Sequence, residues 1–214
     1  MSHRREFLAQ LGAAASLLAF DADELRAAPS AVDGPWDTSW LDRLAAAKYR
    51  VVFNGNEMND GEVMGYAATF LDHFHEVHAT TDAQTVPVVV FRRMGTALGF
   101  NDAMWSRYEL GAANKVIDSS TNAPARRNIY WDTAGGGDGR SMIKTLHGRG
   151  MISLVCNVAL GNVGRRLAEQ FKLDVAEVQA NLRANLVPGA ILVPSGIYAL
   201  IRAQNAGCAF MPGT

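Results

Sequence analysis

The sequence predicts an α/β fold: a three-layer α/β/α arrangement around a mostly parallel sheet of five strands. Two observations carry this expectation. Five short runs look like buried strands, and the first four are almost continuously apolar, as strands are when both faces of a parallel sheet are covered. Between them lie longer segments with apolar residues at helical spacing, so strands and helices alternate in the manner of βαβ units. Composition agrees. Of 214 residues, 49% are apolar and 19% charged, with a net charge of −1, which fits one globular domain, or one domain plus an appendage. It argues against a disordered chain and against nucleic-acid binding by bulk positive charge.

The predicted strands are 49–54 (YRVVFN), 86–92 (VPVVVFR), 151–156 (MISLVC), 190–194 (AILVP) and 208–211 (CAFM). Pro87 lacks an N–H and limits the start of the second. Val63, Ala67, Phe70, Phe74 and Val77 form one helical stripe. Asn101 or Asp102 caps a helix carrying Met104, Trp105 and Tyr108. Leu160, Val163, Leu167 and Phe171 mark another helix. Asp174 and Glu177 resemble a capping box ahead of Val178 and Leu182. Ser195 caps a last helix, which Gly207 ends. Residues 111–140 lack periodicity and include a glycine run at 135–139. A connection of that length is usually functional or disordered; Tyr130 and Trp131 favour a packed lid, and the glycine run favours a mobile hinge.

The first thirty residues read as an export signal. Arg4 and Arg5, followed by Phe7 and Leu8, resemble the twin-arginine motif, and an uncharged Ala-rich stretch follows. Three of the 20 basic and four of the 21 acidic residues lie in 1–30, so the remainder is balanced at 17 each. Residues 31–47 form a lead-in, and 48–214 a single domain. The expected partner is the twin-arginine translocase, and the expected location periplasmic.

Ligands of open α/β sheets bind beyond the carboxyl ends of the strands. That rule collects Asn54 and Asn56 after the first strand and Arg92 and Arg93 after the second. It adds Cys156 and Asn157 after the third, and Ser195 and Gly196 after the fourth. Amides, guanidinium groups, a thiol and a helix start suit a small anionic or polar ligand. Cys156 is the candidate reactive group, since a thiol reacts as thiolate beside a cation or helix start. Loop 111–140 is expected to close over it, and Arg126 and Arg127 offer a second cationic pair. Cys208 falls at the opposite end of a parallel strand, out of disulfide reach of Cys156 unless the last strand runs antiparallel. His75 and His78 share a helix face but read as a solvated helix end, and no metal site is expected. The glycine run is not followed by Lys-Ser/Thr and is no phosphate loop. No cofactor is named by any motif.

The segments GRGMISLVCN (148–157), LVPGAILVPSGIYALIRAQNAGCAF (186–210) and YRVVFNGNEMNDG (49–61) resemble the DsrE/DsrF-like superfamily of small α/β proteins. FRRMGTALGFNDAMWSRYELG (91–111) is similar to exported members with a twin-arginine leader. The resemblance implies cysteine-persulfide sulfur relay and assembly into trimers or hexamers. The stretch matching the sulfur-bearing segment of relay members, residues 141–147, contains no cysteine. Cys156 matches a cysteine found after the third strand in other members. Two functions follow as expectations. One is a small-ligand or sulfur-carrier domain working through Cys156 with a sulfur-donor partner. The other is a non-enzymatic, oligomeric ligand- or cofactor-binding module, in which Trp105 and Trp131 stack on a flat ligand.

Overall fold

The computed structural model describes residues 36–135 and 139–213. The expected export signal, and part of the glycine run, lie outside them. Five parallel strands form one sheet: β1 (Tyr49–Gly55), β2 (Thr85–Phe91), β5 (Ile152–Cys156), β6 (Ile191–Val193) and β7 (Ala209–Pro212). Their order is β6-β5-β2-β1-β7. The central runs are strands whose side chains are buried toward both faces, whereas β6 is only partly buried and the edge strand β7 is exposed along its length. In β2 and β5 every residue is buried. Pro87 lies inside β2, and pairing with β5 begins one residue later, at Val88. Its missing donor therefore falls before that ladder starts.

Two cores flank the sheet. Val51, Phe53, Val89, Phe91 and Val155 face one of them. Val52, Val88, Val90, Ile152 and Leu154, alternate residues of the same strands, face the other. The first core is covered by α2 (Glu62–His78), α3 (Asp102–Arg107), α5 (Ile143–Gly148), α6 (Asn157–Phe171) and α7 (Val175–Ala184). The second is covered by α1 (Trp40–Ala45) and α8 (Gly196–Asn205). The fold is thus a three-layer α/β/α sandwich. Caps set several boundaries as expected: Asn101, Asp174 and Ser195 each accept a backbone N–H three residues on.

Chain direction explains which face each helix takes. From β1 through β2 and β5 to β6 the chain steps one way across the sheet, with α2, α5 and α6 on one face. From β6 to β7 it returns, and α8 lies on the opposite face. A constant right-handed crossover requires that switch. The connections therefore diverge between the carboxyl ends of β5 and β6, where such sheets open a crevice.

The described residues of 111–140 are more ordered than their sequence suggests. After α4 (Leu110–Ala113) come a two-stranded ribbon, β3 (Ile117–Asp118) with β4 (Ala123–Pro124), and an anchor at Asn128. The buried Asn128 amide donates to the Leu98 and Phe100 carbonyls, and its N–H donates to Asp102. Among the described residues no helix is long and apolar enough to cross a membrane.

Candidate functional site

Cys156 is the last residue of β5 and the N-cap of α6. Its Sγ accepts the Ala159 N–H at 3.3 Å, and the residue is 5% exposed. The strand beside β5 is β2, so Arg92 leaves the sheet next to the thiol. The Arg92 N–H donates to the Gly55 carbonyl at 3.0 Å, and Nη1 lies 3.4 Å from Asn54 Oδ1. At Arg93 the backbone turns through φ 50°, opening a run of 3-10 turns, 93–99. The stem of Arg92 lies across the start of α8. A Cβ at Gly196 would stand 2.9 Å from Arg92 Cδ, so glycine there permits the close approach.

Between the 92–94 segment and α6 lies an open hollow of about 580 Å³. Cys156, Arg92 and Arg93 line it together. Its long wall is a stripe of α6 that includes Val158, Asn162, Arg165, Arg166 and Glu169. Val158, Asn162, Arg165 and Glu169 are three and four residues apart, and Arg166 lies four after Asn162, so all share one helix face. Arg165 donates to Asn162 Oδ1, and Arg166 Nη1 reaches to 4.0 Å from Met94 Sδ. Four arginines and one glutamate give the hollow three excess positive charges. Among the described residues none of the four arginines pairs with a carboxylate. On a chain of net charge −1, that concentration of unpaired cation suits an anion.

Other residues expected at the rim have different duties. Asn157 does not line the hollow: its Oδ1 accepts from Arg183 Nε at 2.9 Å. The Ser195 hydroxyl caps α8, accepting the Tyr198 N–H at 3.1 Å. Asn54 acts on the hollow through Arg92. Asn56 Oδ1 is buried and has no partner among the described residues, while its backbone carbonyl accepts from Gly95. Gly196 lies beneath Arg92 and outside the hollow. The expectation of a lid is corrected as well. No described residue of 111–140 lines the hollow, because the Asn128 anchor holds that segment against 98–102. Arg126 and Arg127 are paired with Glu109 and Asp118.

Both cysteines are free and buried. β7 runs parallel to β1, which places Cys208 at the amino-terminal edge of the sheet, opposite Cys156. Burial pushes the Cys208 thiol up to about 11, with Arg50 opposing. Trp105 is fully buried and donates to the Ala97 carbonyl at 3.1 Å, so it offers no stacking surface. Trp131 packs edge-on against His147. His147 bridges the Pro188 carbonyl and the Ser153 hydroxyl at 3.1 and 2.8 Å. Burial holds it below the usual histidine range; the Pro188 hydrogen bond opposes this, and the charge of Arg43 adds to it. Among the described residues no cluster of three or more His, Cys, Asp or Glu is placed to hold a metal ion.

Sequence reasoning missed Arg165, Arg166 and Glu169. They lie two to three turns into a helix, whereas the strand-end rule looks only at its start. The signal that locates them is spacing: 158, 162, 165 and 169 fall on one face next to the buried 160, 163, 167 stripe.

No protein-family model matches the chain, and no curated protein matches it. Among solved structures it is similar to MTH1491, a protein of unknown function from Methanobacterium thermoautotrophicum. The identity is 17%, over 77% of this chain and 99% of that one, at a TM-score of 0.42.

Proposed function

We propose that this protein is an exported DsrE-like domain that binds a small anionic, sulfur-containing ligand beside Cys156 and carries sulfur on that thiol. The observation supporting it is the shared hollow: one thiol and four guanidinium groups, none of them paired with a carboxylate among the described residues, around one cavity. In the reaction, the Cys156 thiolate attacks a terminal sulfur of a polysulfide dianion. A new S–S bond forms to Cys156 and one bond of the polysulfide breaks. The products are a cysteine persulfide anion and a polysulfide dianion one sulfur shorter. The arginines hold the donor's charge. Intact-mass measurement after polysulfide exposure should give single-sulfur increments on Cys156 and none in Cys156→Ser. An unmodified Cys156 beside a modified unfolded control refutes the carrier role.

Export rests on Arg4 and Arg5. Changing both to Lys should retain the protein in the cytoplasm on fractionation; unchanged location rejects it. Assembly into trimers or hexamers has its own support. An apolar groove of about 490 Å³, lined by residues including Tyr66, Phe70, Phe74 and Met211, runs along the β7 edge of the sheet, and Phe210 and Met211 are about half exposed. Exposed edge strands with apolar side chains are prone to pairing. Native mass spectrometry decides: a monomer at micromolar concentration removes the oligomeric reading.

A further inference from the structure

The hollow is long. Its α6 wall runs from Val158 to Glu169, about 16 Å at 1.5 Å per residue. Its charges are spread along that length. Arg92 and Arg93 stand at the thiol end, Arg166 crosses toward Met94, and Arg165 and Glu169 stand at the far end. A compact oxyanion reaches one end only. The walls between are mostly aliphatic, formed by Met94, Val158, Ala159 and Val163 with Asn162, and carry no aromatic ring on which a base would stack.

Resting on the reading of Cys156 as a reactive thiol, we infer that the hollow takes a short peptide thiol in its disulfide form. This ligand has a free carboxylate at one end and an amino-acid head group at the other. The near carboxylate meets Arg92 and Arg93. The far carboxylate meets Arg165, and the far ammonium meets Glu169, the one acidic residue of the lining. The aliphatic linkage lies along Val158 and Val163, bringing the ligand sulfur to Cys156. The Cys156 thiolate attacks the nearer ligand sulfur. A protein–ligand disulfide forms, the ligand's own S–S bond breaks, and the second half leaves as a thiolate with the electron pair. The ligand disulfide is the oxidant, so nothing further is needed.

The test compares three disulfides on the full chain by intact mass and peptide mapping of Cys156. They are oxidised glutathione, with charges at both ends; dithiodiglycolate, whose carboxylates lie close to sulfur; and neutral 2-hydroxyethyl disulfide. Oxidised glutathione should modify Cys156 about tenfold faster than the neutral reagent, equivalent to about 1.4 kcal/mol. The exposed double variant Arg165→Ala, Arg166→Ala should lose that advantage while keeping its rate with the neutral reagent. Equal rates with glutathione and the neutral reagent, or an unaffected double variant, overturn the ligand assignment and leave the reactive thiol standing. Failure of Cys156 to react with any reagent, when the unfolded chain reacts with all three, overturns both.

Discussion

Cys156 belongs to the fold as well as to the hollow, and the two roles separate on substitution. Its sulfur caps the 15-residue α6 through the Ala159 N–H at 3.3 Å, and the side chain is 5% exposed. Alanine removes the cap acceptor, costing about 1 kcal/mol. It also removes a buried atom the size of a methylene, costing about 0.8 kcal/mol. The total is about 2 kcal/mol, which lowers Tm by about 4–8 °C for a domain of this length. Serine keeps an acceptor at the cap and loses only the sulfur's burial, about 1 kcal/mol and about 2–4 °C. Differential scanning calorimetry of Cys156→Ser and Cys156→Ala should therefore rank serine above alanine, with both still folded. Equal melting, or serine below alanine, refutes the capping geometry and with it the placement of Sγ at the start of α6. The serine protein is also the right inert control for the sulfur chemistry, since it keeps the helix start.

Cys208, held up to about 11 by burial, should resist iodoacetamide at pH 8 in the folded protein and become labelled only on unfolding; mass spectrometry of each cysteine peptide decides it. His147 makes stability depend on pH. Its folded value lies below 6.5, so above pH 6.5 folded and unfolded chains are both neutral and the full contribution is present. As pH falls below 6.5 the unfolded chain takes up the proton first, and stability declines until the folded value is passed. Urea midpoints at pH 7.5 and 5 should show that decline, and His147→Gln should show less of it. Gly111→Ala places a Cβ 2.2 Å from the Ala125 carbonyl oxygen and 2.4 Å from its nitrogen, where backbone meets backbone, so it should cost about 3 kcal/mol. Gly65→Ala in α2 meets nothing within 4 Å and should gain about 0.5–1 kcal/mol, measured in the same denaturant series.

The central strands were legible because burial on both faces leaves apolar runs, and the caps at Asn101, Asp174 and Ser195 mark helix starts by side-chain chemistry alone. The elements that escaped notice lack such marks. α1 has six residues, no side-chain cap and two buried residues, Trp40 and Leu44. The turns at 93–99 are held by contact with the sheet; a Cβ at Gly95 would stand 2.4 Å from the Gly55 carbonyl. No local pattern encodes that approach. The site divides the same way. Cys156, Arg92 and Arg93 follow from the rule that strand ends build sites. The true partner of Asn157 does not, because Arg183 lies 26 residues on in the next helix; the cap at Ser195 was legible, and it occupies the hydroxyl also counted at the rim. Residues 111–140 looked like a lid because they lack periodicity, yet one buried side chain, Asn128, binds two carbonyls and fixes the segment elsewhere.

The central claim is that the Cys156 thiol and the guanidinium groups lining its hollow act on the same ligand. The ratio of iodoacetate to iodoacetamide alkylation rates at Cys156 tests it, since the two reagents differ chiefly in charge. One favourable unit charge at about 4 Å in water is worth about 1 kcal/mol, so the folded protein should exceed the unfolded chain's ratio about fivefold. Arg92→Ala, Arg93→Ala, or high salt should remove that excess. A folded ratio equal to the unfolded one contradicts the account.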